Sequence, residues 1–147
     1  MKYLGNRWML AIAGTLCCAS AYAVDTVKVG VVGPFSGPFA GAFGTPFRQG
    51  VEAYVAMNGT TAGGIPVEFI YRDLPSPDPQ KAKSIAQDLV VKDKVQYLAG
   101  FVFTPNAMAA APLIQSAKVP LVIFNASTSM VVSKSDFFVR TSNTLPQ

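Results

Sequence analysis

The feature that most constrains the fold is Val27–Gly33 (VKVGVVG), an apolar run rich in valine that leads into a glycine- and proline-rich loop, Pro34–Gly44. A helical pattern follows, and a second strand pattern ends at Asp73, before a turn and a helix that begins at Asp78-Pro79. Continuous apolar β-branched residues without alternation are typical of a buried parallel strand. Strand, loop and helix in repeated order predict a parallel α/β sheet, and such sheets bind ligands at the loops that follow the strands.

The remaining patterns extend this order along the chain. Helices are predicted over Phe47–Asn58, from Asp78-Pro79 to Lys92-Asp93-Lys94, and from Thr104 to Ala117. Strands are predicted over Val27–Val32, Val67–Asp73, Val95–Gly100, Val119–Phe124 and Phe137–Thr141. The fold class is therefore α/β, with one doubly wound parallel sheet in the order β-α-β-α-β-α-β-loop-β. Asp78 suits the N-cap of the second helix, and Pro79 suits its first position.

The N-terminal segment has the pattern of a secretory signal peptide. A basic start is followed by Trp8–Ser20, an apolar stretch that is short for a membrane span. Ala21-Tyr22-Ala23 then gives the small-x-small pattern of a cleavage site. We therefore expect a signal peptide over residues 1–23, a mature chain that starts at Val24, and a periplasmic location. An uncleaved membrane anchor is the alternative.

Composition argues against most enzyme classes. The sequence has no histidine, and removal of the signal peptide would take away both cysteines. The usual zinc ligands, the Ser-His-Asp and Cys-His nucleophile systems and the commonest general base would then be absent. The formal charge of +4 includes Lys2 and Arg7 of the signal segment, and the other basic residues are scattered. The sequence therefore predicts no catalysis, no metal, no cofactor and no nucleic-acid partner.

The first loop at a strand end does not match a nucleotide-binding motif. Its glycines stand at Gly37, Gly41 and Gly44, a spacing that differs from G-x-G-x-x-G, and no Gly-Lys-Ser/Thr sequence occurs. Asp73 lies some thirty residues beyond the loop, further than the usual ribose-binding acid. We expect a turn whose glycines let the backbone approach a ligand or a neighbouring loop.

Two further loops follow predicted strands and should converge on the same edge of the sheet. Thr104 precedes Pro105 at the start of a helix, so its hydroxyl and the free N–H groups of the first turn could accept a carboxylate. The alternative is that Thr104 only caps its own helix. Asn125–Ser129 is rich in short polar side chains, and is either the polar half of a pocket or a solvated turn.

In order and spacing, these residues resemble the branched-chain (leucine/isoleucine/valine) amino acid-binding proteins of ABC transporters. The resemblance covers nearly all of the mature chain. It is carried by Val27–Gly33, Ser36-Gly37-Pro38, Gly63-Gly64-Ile65, Asp73, Asp78-Pro79, Asp93-Lys94-Val95, Ala111-Pro112, Val119-Pro120 and Arg140-Thr141. In that family two α/β lobes close on a ligand. The resemblance implies that residues 24–147 form the first lobe of a two-lobe, type I periplasmic binding protein, in truncated form.

The resemblance also implies a ligand site. The family holds the ligand carboxylate with a Ser or Thr after the third strand and another after the fourth, and these positions fall on Thr104 and Ser127. An aromatic residue of the family's first loop corresponds to Phe43. The backbone carbonyl that meets an α-ammonium group falls at Asn125.

Phenylalanines at two positions depart from the family pattern. Phe101 and Phe103 stand where small or polar residues are common, and with Phe43 they could form an aromatic wall beside the carboxylate anchor. Because flat rings stack on aromatic faces, such a wall suits an aromatic acid at least as well as leucine. The alternative is that these rings pack beneath the loops.

The resemblance implies the substrate-binding component of an ABC uptake transporter. Its partners would be a small carboxylate ligand, either a branched-chain amino acid or an aromatic acid, and a permease in the membrane. A sensor domain of the same fold and a small secreted α/β enzyme are the alternatives.

Overall fold

The computed structural model describes residues 25–144; the predicted signal peptide lies outside the described residues. The strands are β1 (Val27–Gly33), β2 (Thr61–Ala62), β3 (Ile65–Asp73), β4 (Tyr97–Gly100), β5 (Leu121–Ile123) and β6 (Phe138–Arg140). The helices are α1 (Thr45–Asn58), α2 (Pro79–Gln87) and α3 (Thr104–Ala117). Wide helical turns precede α1 at Ala40–Gly44 and follow α2 at Asp88–Lys92, and a 3₁₀ turn covers Ser129–Lys134. None of the helices in this part of the chain is both long and apolar enough to cross a membrane.

All of these strands form one sheet in the order β2-β3-β1-β4-β5-β6. Only β2 is antiparallel to its neighbour, and the other four pairings are parallel. Since β1 lies inside the sheet, the chain winds outward from it in both directions, as predicted for a doubly wound fold. The last residues of β1, β3, β4 and β5 lie side by side, and we call this side of the sheet the carboxyl edge.

The hydrophobic core lies on the face of the sheet that α2 and α3 cover. Leu89, Leu98, Ile114, Leu121 and Ile123 are fully buried there. A side chain added at Gly30 of β1 would meet Leu89 and Leu98, so this glycine lets the wide turn after α2 lie close to the sheet.

The opposite face is covered less completely. Val29 of β1 is paired with Phe69 of β3, and side chains at these positions point away from the core because strand residues alternate between faces. Helix α1 lies over this side but has no buried residue. Tyr54 and Met57 on α1 are 68% and 83% exposed. This face is therefore an open apolar surface in the described part of the chain.

Most predicted elements are confirmed, and α3 has the predicted bounds. The third predicted strand begins at Tyr97 instead of Val95, because Lys94 has φ 56° and the Val95 N–H still bonds to the turn after α2. The sequence interpretation missed β2, which pairs with the start of β3 around Gly63-Gly64. Both glycines have positive φ, at 60° and 83°, as a tight hairpin requires.

Candidate functional site

At the carboxyl edge, the first loop is held by the carboxylate of Asp73. One carboxylate oxygen accepts hydrogen bonds from the N–H groups of Phe35 (2.8 Å) and Ser36 (3.1 Å), and the other accepts the Ser36 hydroxyl. Asp73 is paired with Gly33 at the ends of β3 and β1, so its side chain lies next to the loop that follows β1. Asp73 thus orders this loop by bonding its backbone.

Two glycines allow the backbone segments at this edge to approach closely. A Cβ atom on Gly44 would lie 1.9 Å from the carbonyl oxygen of Pro34, and one on Gly100 would lie 2.0 Å from that of Val32. Gly100 also has φ +107°, a conformation that side chains disfavour. The predicted approach to a neighbouring loop occurs at Gly37, where a Cβ atom would lie 3.3 Å from the Pro75 side chain, whereas at Gly44 the close approach is within the first loop itself.

Between the first loop and the ends of the central strands lies a cavity of about 240 Å³. Its lining is Val32, Gly33, Pro34, Phe35, Ala42, Phe43, Gly44, Phe47, Gly100, Val102, Phe124 and Asn125. Phe43 and Asn125 from the predicted site are in this lining, whereas Phe103, Thr104 and Ser127 lie outside it. An apolar wall with a few polar groups is the usual make-up of a small-molecule site.

Two groups of aromatic rings lie at the cavity or beside it. The stacked pair, Phe47 and Phe124, has ring centroids 4.0 Å apart and an interplanar angle of 32°. The aromatic triad consists of Phe39, Phe43 and Phe103, in which the Phe103 ring meets the other two edge to face at 5.0 and 6.5 Å. Phe43 belongs to the triad and also lines the cavity.

The aromatic wall predicted from Phe43, Phe101 and Phe103 forms only in part. Phe43 and Phe103 are in contact, but Phe101 is 1% exposed and belongs to the hydrophobic core. Its backbone has φ 55° at the turn that leaves β4, and its N–H bonds to the Val32 carbonyl. For Phe101, packing beneath the loops is the correct interpretation.

The stacked pair was missed because each ring was assigned to a regular element. The sequence patterns made Phe47 the first residue of a helix and Phe124 the last residue of a strand. Both therefore adjoin loops at the carboxyl edge, and this shared position was the signal that could have identified them.

Outside the cavity lining, two hydroxyl groups form a pair that the sequence did not predict. The hydroxyl oxygens of Thr104 and Thr128 are 3.1 Å apart. Helix α3 has Phe103 at its N-cap and no capping bond from that side chain, so Thr104 is the first helical residue and not the cap. The Thr128 carbonyl accepts a 3.1 Å bond from the Arg140 guanidinium, which ties the loop to β6. Ser127, the neighbour of Thr128, is partly buried.

A buried amide connects α3 to the loop before α2. The Asn106 side chain is 1% exposed; its oxygen accepts the Asp78 N–H at 2.8 Å, and its nitrogen donates to the Ser76 carbonyl at 3.2 Å. Asp78 in turn caps α2 as predicted, since its carboxylate accepts the Lys81 N–H at 2.9 Å. Asn106 therefore satisfies its polar atoms while fixing the start of α3, where Thr104 lies.

Near the first loop, α1 is attached to β3 through a cation–aromatic contact. The Arg48 guanidinium lies 4.9 Å from the Tyr71 ring centroid and pairs with Glu52 at 2.8 Å. The Tyr71 ring meets Phe35 edge to face at 5.4 Å. Burial raises the pKa of Tyr71, the Glu52 carboxylate raises it further, and Arg48 opposes both. Tyr71 is therefore a neutral phenol at physiological pH.

Residues 25–144 contain no cluster of three or more acidic residues able to hold a metal ion. The cavity instead combines ring faces, backbone and a few polar atoms. This open arrangement can contact one side of a small, partly apolar molecule.

Comparison with known proteins gives consistent matches. A family model described as periplasmic binding protein matches residues 26–146. A Brucella abortus protein named Leu/Ile/Val-binding protein homolog 6 is 52% identical over 136 residues, which are 92% of this chain and 35% of that protein.

Two solved structures from Rhodopseudomonas palustris are also similar. A solute-binding protein of an ABC transporter in complex with 4-hydroxybenzoate is 57% identical, with a TM-score of 0.78, over 82% of this chain and 32% of that one. Another, from strain BisB5 in complex with 3,4-dihydroxybenzoic acid, is 40% identical, with a TM-score of 0.77, over 81% and 32%. The chain thus spans about a third of the length of the relatives it matches.

Proposed function

This chain belongs to the periplasmic binding protein family, and we propose that it is the first lobe of the substrate-binding component of an ABC uptake transporter. In this proposal residues 24–147 follow a signal peptide over residues 1–23, the protein works in the periplasm, and a membrane permease receives its ligand. The two Rhodopseudomonas relatives are solute-binding proteins of ABC transporters, not enzymes. Their similarity supports the proposal.

The observation that carries this proposal is the aromatic cavity at the carboxyl edge. Four phenylalanines, Phe35, Phe43, Phe47 and Phe124, line it together with the glycine-containing strand ends. Aromatic side chains bind flat rings through stacked and edge-to-face contacts. We therefore propose an aromatic carboxylate as the ligand. The ligands named for the two Rhodopseudomonas structures support this class, whereas the name of the Brucella relative supports a branched-chain amino acid.

In the proposed complex, the hydroxyls of Thr104 and Ser127 bind the ligand carboxylate. Thr128 holds the Thr104 hydroxyl in place, since the two oxygens are 3.1 Å apart. The positive end of α3, whose first turn contains Thr104, favours the same negative charge. Phe43 contacts the ligand ring with support from Phe103.

The test is calorimetry on the protein expressed from its complete gene, with benzoate, 4-hydroxybenzoate and leucine as ligands. We expect both aromatic acids to bind and to displace leucine. Tighter binding of leucine would reject the aromatic class, and failure of all three to bind would reject the site. A chimera, in which residues 26–146 replace the matching third of the 4-hydroxybenzoate-binding relative, tests this lobe in a complete scaffold.

A further inference from the structure

We propose that the stacked pair, Phe47 and Phe124, is the surface that selects planar ligands over puckered or branched ones of similar size. This inference rests on the proposed function, because it names the residues that determine specificity within the proposed site. The residues that the sequence predicted for the ligand did not include either ring.

The position of the two rings is the first argument. Both line the cavity, and both are partly buried, so neither ring is fully enclosed by other side chains. Phe47 comes from the first turn of α1, and Phe124 follows the end of β5. The pair therefore joins two separate parts of the fold at the cavity wall.

Their geometry is the second argument. Centroids 4.0 Å apart at an angle of 32° make this the most nearly parallel of the ring pairs in the described chain. A planar ligand can extend such a stack with a third ring, in offset or edge-to-face contact. A saturated ring or a branched chain gains the same burial without this geometry. The stacked pair thus binds a planar ligand more tightly than burial of the ligand's apolar area alone would.

The aromatic triad has a different role. Phe39, Phe43 and Phe103 meet one another within 6.5 Å, and Phe43 alone of the three lines the cavity. Phe103 contacts two rings of its own group. Because Phe103 supports Phe43, it belongs to the proposed site and cannot serve as a control. Phe137 is the matched control, since it is partly buried against the hydrophobic core and lies outside the cavity lining.

A purely structural role for the pair makes a different prediction. Because α1 has no buried residue, the contact of Phe47 with Phe124 also helps to hold this helix on the sheet. If packing were its only role, loss of either ring would weaken all ligands by the same factor. If the pair selects planar ligands, loss of either ring instead changes the ratio of the affinities for planar and puckered ligands.

The experiment compares benzoate with cyclohexanecarboxylate, which has the same charge and similar size but a puckered ring. Calorimetry is performed on the protein expressed from its complete gene and on its Phe47→Leu, Phe124→Leu and Phe137→Leu variants. We expect the wild type to prefer benzoate. Either change in the pair should lower this preference by roughly threefold to tenfold, the loss of one ring contact, and Phe137→Leu should leave it unchanged.

An unchanged preference in both pair variants, with equal weakening of the two ligands, would overturn the inference and leave the proposed function standing. If the wild type bound neither acid, the proposed function itself would be rejected, and the inference about the pair with it. Thermal unfolding identifies a variant that does not fold. In that case Phe→Met at the same position, which fills the space with a flexible chain, provides the measurement.

Discussion

At the carboxyl edge, the lack of a Cβ atom at a single glycine determines how closely two backbone segments approach each other. Gly100 leaves β4 with a positive φ and faces the Val32 carbonyl at a distance that excludes a side chain. Its N-terminal neighbours pair with β1, so any displacement there would shift the wall of the cavity. The cavity therefore depends on a residue with no side chain.

We expect Gly100→Ala to destabilise the protein by about 2 kcal/mol or more, because the new methyl group combines an unfavourable φ with a backbone clash. Gly50→Ala is the matched control: Gly50 lies within α1 and has no atom within 4 Å of the added position. There the change should stabilise by about 0.5–1 kcal/mol, as expected within a helix. Urea unfolding measures both, and equal effects of the two changes would contradict the argument.

The proposed carboxylate anchors can be tested one hydroxyl at a time. Thr104→Ala or Ser127→Ala removes a hydrogen bond to a charged group, worth roughly 1.5–3 kcal/mol, so affinity should fall at least tenfold. Ser116→Ala, at the far end of α3, should leave affinity unchanged, since the Ser116 hydroxyl bonds within its own helix. Calorimetric affinities that stay the same in both anchor variants would limit these residues to structural roles.

At the scale of elements, α3 is fixed by one buried side chain as well as by its apolar face. Asn106 bonds the backbone on both sides of Pro77, so α3, the loop after β3 and the start of α2 form one connected unit. The Asp78 N–H depends on this amide for its hydrogen bond. The start of α3 and the loop between β3 and α2 therefore hold each other in position.

We expect Asn106→Ala to cost about 1–3 kcal/mol, since buried backbone groups lose their partners. The Asp78 amide should then exchange its hydrogen faster, in a peptide that spans residues 74–81, while exchange in β5 changes little. Asn143→Ala, at an exposed position, serves as the control. Exchange at Asp78 as slow as in the wild type would show that Asn106 does not hold this loop.

Regular elements could be predicted because their signals are local. Thr104-Pro105 marks the start of α3, and the valines of β1 mark a buried strand, so both elements lie where the sequence puts them. The contact of Phe47 with Phe124 joins residues far apart in the chain and has no local pattern. The position of Phe101 in the core depends on a left-handed turn at a non-glycine residue, which no propensity predicts.

At the scale of the whole molecule, the two faces of the sheet differ. One is closed by α2 and α3, and the other carries α1 with exposed Tyr54 and Met57. Exposed apolar surfaces of this kind promote association. This chain spans about a third of the length of its relatives, so about two thirds of each relative lie outside the matched region.

We expect residues 24–147 expressed alone to bind ligand weakly or not at all and to self-associate, because the cavity is open and one face is uncovered. Light scattering and calorimetry test this. Met57→Lys should reduce association without restoring binding. Lys83→Met, at an exposed position of α2, is a control that adds an apolar side chain elsewhere on the surface. A monodisperse monomer with micromolar affinity would show that this part is self-sufficient.

The central place of β1 has a consequence in time. This strand is synthesised before its partners, yet Val29 must pair with both Phe69 and Tyr97. Pairing between residues distant in sequence is slow, because loop closure costs entropy before contacts repay it. More than half of the described chain must therefore be synthesised before β1 can pair with strands on both of its edges. Until then the valines of β1 can pair or pack with other chains. The rate at which β4 pairs with β1 determines how long this exposure lasts.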